Sequence, residues 1–292
     1  MSPLTYAVVT PARDEEENLE RLSAALIAQT LTPLEWVVVD DGSTDRTPEL
    51  VRELGADHPW IRLHTEAQRE GGALEQGRRH GRPLDGLKRG VAQLSVVPDV
   101  VVKVDADVDV DPDYFEQLLE RFAADPLLGI ASGSCYELED GEWVRRTKVE
   151  GTVWGASRAY RWNCVPDMMS LEPSMGWDGL DELKVQLRGM HTQSFTDLQF
   201  RHHRPEGGRE RSRLHQGAAL GRASWYMGYR PSYLVLRSVY RAREEPAALA
   251  MMWGYASSAL TRSPRCPDAQ IVRELRSRQR LGPALRRGAP SS

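Results

Sequence analysis

VVVKVDADVDVDPDYF, residues 100–115, is the stretch that decides the fold of this chain. It opens with an apolar run, interrupted by Lys103, that is typical of a buried strand in a largely parallel sheet. The run ends at Asp105, Ala106 and Asp107. Two carboxylates one residue apart at a strand end suit a divalent cation, because Mg²⁺ takes oxygen ligands and keeps waters and substrate phosphates as the others. A solvated turn is the alternative interpretation.

The residues that follow favour the site over the turn. Asp111 and Pro112 predict an N-cap and a first helical residue, with a helix through about Ala123. The acidic pair therefore lies between a buried strand and a helix. Open α/β sheets bind their ligands beyond the carboxyl ends of their strands, which is where this pair is predicted to lie.

The first half of the chain alternates strands with helices. Leu19, Leu22, Leu26 and Ile27 recur at helical spacing after the first apolar run. The pattern predicts strands over residues 6–10, 36–39, 61–64 and 128–133, an edge strand over 142–146, and helices over 11–29, 47–54 and 83–94. This alternation predicts a parallel sheet with right-handed crossovers. No G-x-G-x-x-G follows the first strand, which argues against a dinucleotide-binding Rossmann site.

Composition excludes several classes of protein. A formal net charge of -4 over 292 residues gives no nucleic-acid footprint. The three cysteines, Cys135, Cys164 and Cys266, are widely spaced and odd in number, which favours a reducing cytoplasm. No run reaches 18 apolar residues, and the N-terminus lacks the features of a signal peptide, so neither a membrane-spanning helix nor secretion is expected.

Three motifs carry a resemblance to a known family. TPARDEEENL (10–19), VVVDDGSTDRT (37–47) and VKVDADVDVDPDYF (102–115) resemble, in order and spacing, the inverting family-two glycosyltransferases with a GT-A fold. The resemblance implies an α/β, GT-A-like, mostly parallel nucleotide-binding sheet flanked by helices. It implies a glycosyltransferase domain over residues 1–217, with a nucleotide-sugar half (1–133) and an acceptor half (134–217), and a helical, arginine-rich extension over 218–292.

The same resemblance assigns the donor and metal residues. It implies that Asp41 holds the nucleotide base, that Asp105 lies near the ribose, and that Asp107 binds Mg²⁺ or Mn²⁺ on the diphosphate. The predicted donor-binding set is Thr10, Pro11, Arg13, Glu15, Asp41, Ser43, Asp105 and Ala106. Plain turn chemistry is the alternative for Asp41 and Ser43, because Asp, Gly and Ser favour turns.

The predicted catalytic base lies in GWDGLDELKVQLRGM, residues 176–190. The family pattern is a Gly-Glu-Asp start, a helix and a Gly-aromatic end. With Gly176 and Gly189 as the two glycines, this pattern implies that Asp178 is at the base position. Trp177 departs from that pattern, where many members have glutamate, and this leaves Asp181 and Glu182 as rivals. Asp178 has a structural alternative as a helix cap.

Two further segments remain ambiguous in the sequence. His202 and His203 precede a glycine-rich stretch. One histidine of this pair is predicted to complete the metal shell, and His203 is the predicted ligand. The alternative is that both histidines lie on the surface. Five arginines between Arg201 and Arg213 either clamp diphosphate oxygens or form a solvated face. A basic, glycine-rich segment over residues 70–83 is either an exposed loop or a second phosphate-binding element.

The region after Ala218 mixes aromatic residues with arginines. Amphipathic helices of this composition lie in membrane interfaces, although aromatic stripes also form cores and dimer contacts. The family resemblance implies a metal-dependent, inverting transfer of a sugar from a UDP-sugar, or alternatively a GDP-sugar, to a hydroxyl acceptor. The composition of the region after Ala218 suggests a polyprenyl-linked glycan as that acceptor. The chain is expected in the cytoplasm, either free or peripheral at the inner membrane face. The alternatives are a sugar nucleotidyltransferase and a non-catalytic nucleotide-sugar-binding protein.

Overall fold

The structure is a computed structural model that describes residues 3–65, 82–146, 152–174, 176–204, 212–243 and 245–280. Most of the predicted basic segment, residues 70–81, lies outside the described residues. The described chain forms two compact units. The first takes in the described residues within Met1–Gly72, Arg82–Leu171 and Val185–Glu206, and the second those within Glu172–Lys184 and Gly207–Ser292.

The first unit begins with the predicted alternation of strands and helices. Its opening elements are β1 (Tyr6–Ala12), α1 (Glu16–Ile27), β2 (Glu35–Asp40), α2 (Thr47–Asp57), β3 (Ile61–Thr65), α3 (Arg82–Ala92) and β4 (Val100–Val104). The strands β3, β2, β1 and β4 are neighbours in that order, and all three pairings are parallel. The parallel sheet predicted for the first half of the chain is therefore confirmed.

The remaining elements of this unit extend the same sheet. They are β5 (Val108–Val110), α4 (Tyr114–Ala124), β6 (Leu128–Glu139), β7 (Glu142–Arg145), β8 (Ser157–Arg161), α5 (Val165–Met169) and β9 (His191–His202). Within the described residues the strand order is β3-β2-β1-β4-β8-β6-β9-β5, with β7 paired to β6. Strand β8 runs antiparallel to β4 and β6, whereas β6 and β9 are parallel.

Successive side chains of a strand point to opposite faces of the sheet, so the buried parallel strands present apolar side chains on both faces. Helices cover both of these faces. Val8, Val38 and Val102 belong to one buried cluster with Leu22 of α1 and Phe115 of α4. On the other face α3 approaches β1 through a glycine. A Cβ added at Gly90 would lie 2.3 Å from Cγ1 of Val9, so only glycine fits at this position of α3.

The predicted helix cap at Asp111 is wrong. Helix α4 begins at Tyr114, and its N-cap residue is Asp113, without a side-chain cap. The preceding residues instead form β5, which pairs with β9, and Asp111 accepts a hydrogen bond from Nη2 of Arg201 at 2.9 Å. The tertiary pairing of β5 therefore outweighs the local capping signal.

The second unit is helical over its described residues. It contains the greater part of α6 (Trp177–Leu187), together with α7 (Arg213–Tyr226), α8 (Pro231–Arg241), α9 (Ala250–Leu260) and α10 (Ala269–Arg278). Helix α7 runs across the predicted division at residue 217, and that division stays a prediction. No described helix combines the length and the apolar character that crossing a bilayer requires.

Close backbone contact holds α7 against α9. A Cβ added at Gly254 of α9 would lie 1.9 Å from the carbonyl oxygen of Ala218, and one at Gly221 of α7 would lie 2.0 Å from that of Met251. Both distances are far below van der Waals contact. The two helices therefore pack at a separation that only glycine allows at these positions.

Candidate active site

The predicted donor residues gather at one edge of the parallel sheet. Strands β1, β2 and β4 are mutually parallel, and Ala12 of β1 lies opposite Asp40 of β2. The carboxyl ends of these strands therefore meet at the same edge. Arg13, Asp41 and Asp105 are the residues that directly follow the three strands.

A buried lysine fixes the first carboxylate of the central pair. The side chain of Lys103 is 2% exposed although it lies in the middle of the sheet. Its ammonium group contacts Oδ1 of Asp105 and donates to the carbonyl oxygen of Gly155 at 2.7 Å. Residues 103 and 105 lie on the same face because side chains alternate along a strand. The lysine that interrupts the apolar run is thus the partner of Asp105.

The second carboxylate, Asp107, has two cationic neighbours. Its Oδ1 lies 3.2 Å from Nε2 of His202, and its Oδ2 lies 3.6 Å from Nη1 of Arg204. Burial raises the pKa of the Asp107 carboxyl, but the hydrogen bond and charge of His202 and the charge of Arg204 outweigh burial. The pKa therefore lies below its ordinary value, and Asp107 is ionised at neutral pH.

His202 is held from both ring nitrogens. Its Nδ1 lies 3.5 Å from Oε1 of Glu137, which is directly opposite it in the pairing of β6 with β9. Arg146 in turn donates from Nε to Glu137 at 2.7 Å. Burial lowers the pKa of the His202 imidazole, yet the hydrogen bonds to Asp107 and Cys135 raise that pKa to about 10. The ring orientation is therefore set by two carboxylates.

The residues present fit a divalent cation. Potential ligand atoms of Asp105, Asp107 and His202 all lie within 4.8 Å of one another. Two carboxylates and an imidazole are an oxygen-rich set that suits Mg²⁺ or Mn²⁺. A second group, Cys135, Glu137 and His202, meets the same distance criterion but is entirely buried. The first group is the better candidate because the side chain of Asp105 is 27% exposed, which leaves room for substrate oxygens.

His203, the histidine predicted as the metal ligand, lies elsewhere. Its Nε2 is 3.9 Å from Oδ2 of Asp109, and its ring meets the ring of Trp143 edge-on at 5.1 Å. Desolvation and the charge of Arg21 hold the pKa of His203 below its ordinary value. The structure brings the side chain of His202, rather than that of His203, to the Asp107 carboxylate, because neighbouring residues of an extended chain point to opposite sides.

In the segment DDGS, residues 40–43, some side chains hold the turn together and Asp41 remains the candidate for binding. Asp40 is buried and its Oδ1 accepts from the backbone nitrogen of Ser43 at 3.0 Å. The Ser43 hydroxyl accepts from the backbone nitrogen of Asp14 at 2.9 Å, so it joins the first two strand ends. Gly42 has a φ of 74°, which favours glycine at this turn. Asp41 is half-buried at the same edge.

The TPAR segment contributes less side-chain surface than predicted. The Thr10 hydroxyl is fully buried and accepts from Nε1 of Trp36 at 3.0 Å, so this side chain supports the core. Pro11 and Arg13 are half-buried, and Ala106 is buried. The donor-binding role predicted for Thr10 stays a prediction.

Glu15 has a partner that the sequence did not reveal. It is buried, and Arg204 donates to both of its carboxylate oxygens, at 3.0 Å and 2.8 Å. Arg204 thus reaches two acidic residues, Glu15 and Asp107. The sequence offered one signal for this role, the i, i+2 spacing of His202 and Arg204 at the end of β9.

The predicted base residues lie on α6, in the second unit. The two bracketing glycines, Gly176 and Gly189, have φ values of 87° and 80°, and the helix between them is confirmed. Asp178 in its first turn is half-buried. Asp181 is fully buried, with Oδ1 accepting from the Glu182 backbone nitrogen at 2.6 Å, and Glu182 is 7% exposed. Of the three, Asp178 is the most exposed.

Comparison with known proteins identifies the family. Residues 7–169, more than half of the chain, match Glycosyl transferase family 2. The chain belongs to this family. The 4,4'-diaponeurosporenoate glycosyltransferase of Staphylococcus haemolyticus (strain JCSC1435) is 29% identical over 135 residues, which are 46% of this chain and 32% of that protein. The poly-beta-1,6-N-acetyl-D-glucosamine synthase of Staphylococcus aureus (strain COL) is 29% identical over 121 residues, 41% of this chain and 26% of that protein. The family-two chain described here thus spans about a third or less of these relatives.

Solved glycosyltransferases share the fold. A mannosyltransferase of Pyrobaculum calidifontis, PcManGT, in complex with GDP-Man and Mn²⁺, has a TM-score of 0.57 at 18% identity, covering 99% of this chain and 82% of that one. TarS 1-349 of S. aureus in complex with UDP-GlcNAc has a TM-score of 0.55 at 18% identity, covering 75% and 65%. The predicted GT-A-like fold of this family-two chain is confirmed.

Proposed function

We propose that this family-two chain is a metal-dependent, inverting glycosyltransferase that moves a sugar from a nucleoside-diphosphate sugar to a hydroxyl acceptor. One observation carries the proposal. Asp105, Asp107 and His202 place two carboxylates and an imidazole within 4.8 Å of one another, at the edge of the sheet where α/β proteins bind ligands.

We assign Asp107 and His202 as the metal ligands, with Asp105 beside them, so that His202 takes the place predicted for His203. His202 would bind the ion as the neutral imidazole, with release of the proton that it carries in the absence of metal. The chemistry that Mg²⁺ or Mn²⁺ supplies in such a site is neutralisation of the charge that develops on the departing diphosphate. Arg204 adds a fixed guanidinium at the same place, and its planar fork suits phosphate oxygens. Its present partners, Glu15 and Asp107, keep it within reach of that position.

The donor is held by residues at and just after the carboxyl ends of β1 and β2. Asp41 accepts hydrogen bonds from the nucleotide base, while Pro11, Arg13 and Glu15 line the base and ribose. A UDP-sugar or a GDP-sugar is the proposed donor, as UDP-GlcNAc is bound to TarS and GDP-Man to PcManGT. Ser43 acts indirectly, because its hydroxyl already accepts from the backbone of Asp14.

Inversion requires a single displacement at the anomeric carbon, in which one carboxylate removes the proton of the attacking hydroxyl. We propose Asp178 as this base because it is more accessible than Asp181 and Glu182. The proton moves from the acceptor hydroxyl to the Asp178 carboxylate as the acceptor oxygen bonds to the sugar. The bond from the sugar to the diphosphate breaks with its electrons on the diphosphate.

The deciding experiment is titration of a panel of nucleotide sugars with and without Mn²⁺, followed by assay of sugar transfer and of the product anomer. We expect one donor to bind in a metal-dependent way and to yield the inverted product. Binding without turnover would support the non-catalytic alternative. Formation of a nucleotide sugar from a sugar phosphate and a nucleoside triphosphate would support the nucleotidyltransferase.

A further inference from the structure

Helix α8 turns its apolar side away from the unit to which it belongs. Four large apolar side chains, Val235, Leu236, Val239 and Tyr240, are each about half exposed or more. Their spacing of one, four and five residues places them along one face of the helix. The buried positions of α8 are Leu234 and Ser238 instead. A surface helix normally buries its apolar stripe, so this face has the character of an interface.

Helix α9, which packs against α8 around Leu234 and Tyr255, continues the pattern. Leu249, Trp253 and Leu260 recur at intervals of four and seven residues and are exposed, Trp253 by 69% and Leu260 by 82%. We call Val235, Leu236, Val239 and Tyr240, together with these three, the α8–α9 apolar surface. Tryptophan and tyrosine are the aromatic residues that favour the boundary between apolar and aqueous phases.

The charged side chains of α8 itself all have one sign. Residues 212–243 contain six arginines and neither aspartate nor glutamate. Arg243 lies over the Tyr240 ring at 5.5 Å, and Arg237 lies over the Tyr229 ring and donates to its hydroxyl at 3.0 Å. Arg241 is exposed at the end of the helix. The acidic residues Glu244 and Glu245 come only after α8 has ended.

We propose that the α8–α9 apolar surface docks on an anionic lipid bilayer. Apolar side chains on one helix face, bordered by arginines, enter the boundary between headgroups and acyl chains, and the arginines pair with lipid phosphates. A second copy of the chain is a poorer occupant. In a twofold contact the same patch meets itself, and the arginines of one protomer would face those of the other.

This docking surface is independent of the proposed donor chemistry, and its test uses no transfer activity. If both hold, docking would place the proposed transfer at a bilayer surface, where a lipid-linked acceptor is within reach. Failure of docking would leave the donor site and the metal site unaffected. Failure of donor binding would likewise leave the docking surface standing.

The test is co-sedimentation of the full chain with vesicles of phosphatidylcholine alone and of phosphatidylcholine with phosphatidylglycerol. We expect binding to the anionic vesicles at low salt, weaker binding as salt screens the arginines, and little binding to the neutral vesicles. Arg241→Gln and Arg243→Gln should each weaken binding about fivefold, which is what about 1 kcal/mol per basic residue corresponds to.

Replacing exposed apolar side chains by serine tests whether the α8–α9 apolar surface, rather than another exposed apolar site, binds the vesicles. Leu236→Ser with Trp253→Ser should reduce anionic-vesicle binding by at least about tenfold, since each change removes a large exposed apolar side chain. Val97→Ser with Leu127→Ser is the matched control in the first unit, where both side chains are exposed, and it should bind as the parent does. Absence of binding to anionic vesicles, or equal loss in both double variants, would overturn the proposal. So would a dimer in solution that the Leu236 and Trp253 changes dissociate.

Discussion

Arg204 forms a two-pronged ion pair with Glu15, a residue 189 positions earlier in the chain, at 3.0 Å and 2.8 Å. The same guanidinium lies 3.6 Å from Asp107. The two acidic residues that the family resemblance assigns to donor and metal therefore share one arginine. This arginine links the end of β9 to the loop after β1, and it stands where a diphosphate is proposed to bind.

Arg204→Ala should weaken binding of a nucleoside diphosphate by about tenfold or more, because a charge-assisted pair of hydrogen bonds is lost. It should also lower the free energy of unfolding by about 1–3 kcal/mol, since Glu15 is buried and loses its cation. Calorimetric titration and urea unfolding measure the two effects. Arg121→Ala, which removes an exposed ion pair with Asp197, is the control and should change neither. Unchanged nucleotide affinity in Arg204→Ala would remove Arg204 from the donor site.

The assignment of the metal ligands predicts different outcomes for two adjacent histidines. Asp107→Asn and His202→Gln should each weaken Mn²⁺ binding by at least about tenfold, because each loses a ligand atom. His203→Gln is the matched control and should bind Mn²⁺ as the parent does, since His203 lies against Asp109 and Trp143. Titration of Mn²⁺ by calorimetry measures this. Loss of affinity in the His203 variant alone would restore the prediction made from the sequence.

The two aspartates of the DDGS segment should behave oppositely. Asp41→Ala should raise the dissociation constant of the donor nucleotide while the melting temperature stays near that of the parent. Asp40→Ala should lower the melting temperature, because the buried carboxylate accepts from the Ser43 backbone and closes the turn. Thermal unfolding with and without nucleotide measures both. Equal nucleotide binding by the Asp41 variant and the parent would reduce Asp41 to a turn residue.

Amide substitutions on α6 test the base. Asp178→Asn should lower the transfer rate by about 10²–10⁴-fold with donor binding and melting temperature unchanged, because it removes the basic oxygen and keeps the size. Asp181→Asn should lower the melting temperature, since this carboxylate is fully buried. Single-turnover assays beside thermal unfolding separate the two effects. A parental rate in Asp178→Asn with a dead Glu182→Gln or Asp181→Asn would move the base to that residue.

Two glycines of the second unit should respond in opposite ways to one added methyl group. Gly254→Ala should lower the free energy of unfolding by about 1–3 kcal/mol or more, because its Cβ would overlap the Ala218 carbonyl. Gly179→Ala should be neutral or raise that free energy by about 0.5–1 kcal/mol, because its Cβ meets nothing within 4 Å and alanine favours helices. Urea unfolding measures both. A stable Gly254→Ala protein would show that α7 and α9 separate easily.

The parallel half of the sheet was predictable because its strands are buried on both faces. Val8, Val38 and Val102 lie in continuous apolar runs that leave a clear pattern in the sequence. Strands β8 and β9 were not predictable, because they carry polar residues whose burial depends on partners far along the chain. Arg158 is fully buried and donates to the Val153 carbonyl, and His202 is enclosed by Asp107 and Glu137.

In the candidate site, too, features set by neighbouring residues in the sequence were predictable, and features set by tertiary contacts were not. The acidic pair after β4 was recognisable because strand, carboxylates and helix are adjacent in sequence. The choice between His202 and His203 was not, since it depends on which side of β9 faces Asp107. The cap predicted at Asp111 failed for a related reason, as Arg201 of β9 takes that carboxylate.

The buried contact between Lys103 and Asp105 has a consequence for binding energetics. The ammonium is anchored to Gly155 and hidden from water, so the Asp105 carboxylate is fixed by folding itself rather than by an incoming ligand. The conformational entropy of that side chain is lost once, when the chain folds, and is not lost again in each binding event. Pre-organisation of the Asp105 carboxylate therefore contributes to the affinity for whatever binds it. A change that loosens β4 should consequently weaken binding at the end of that strand.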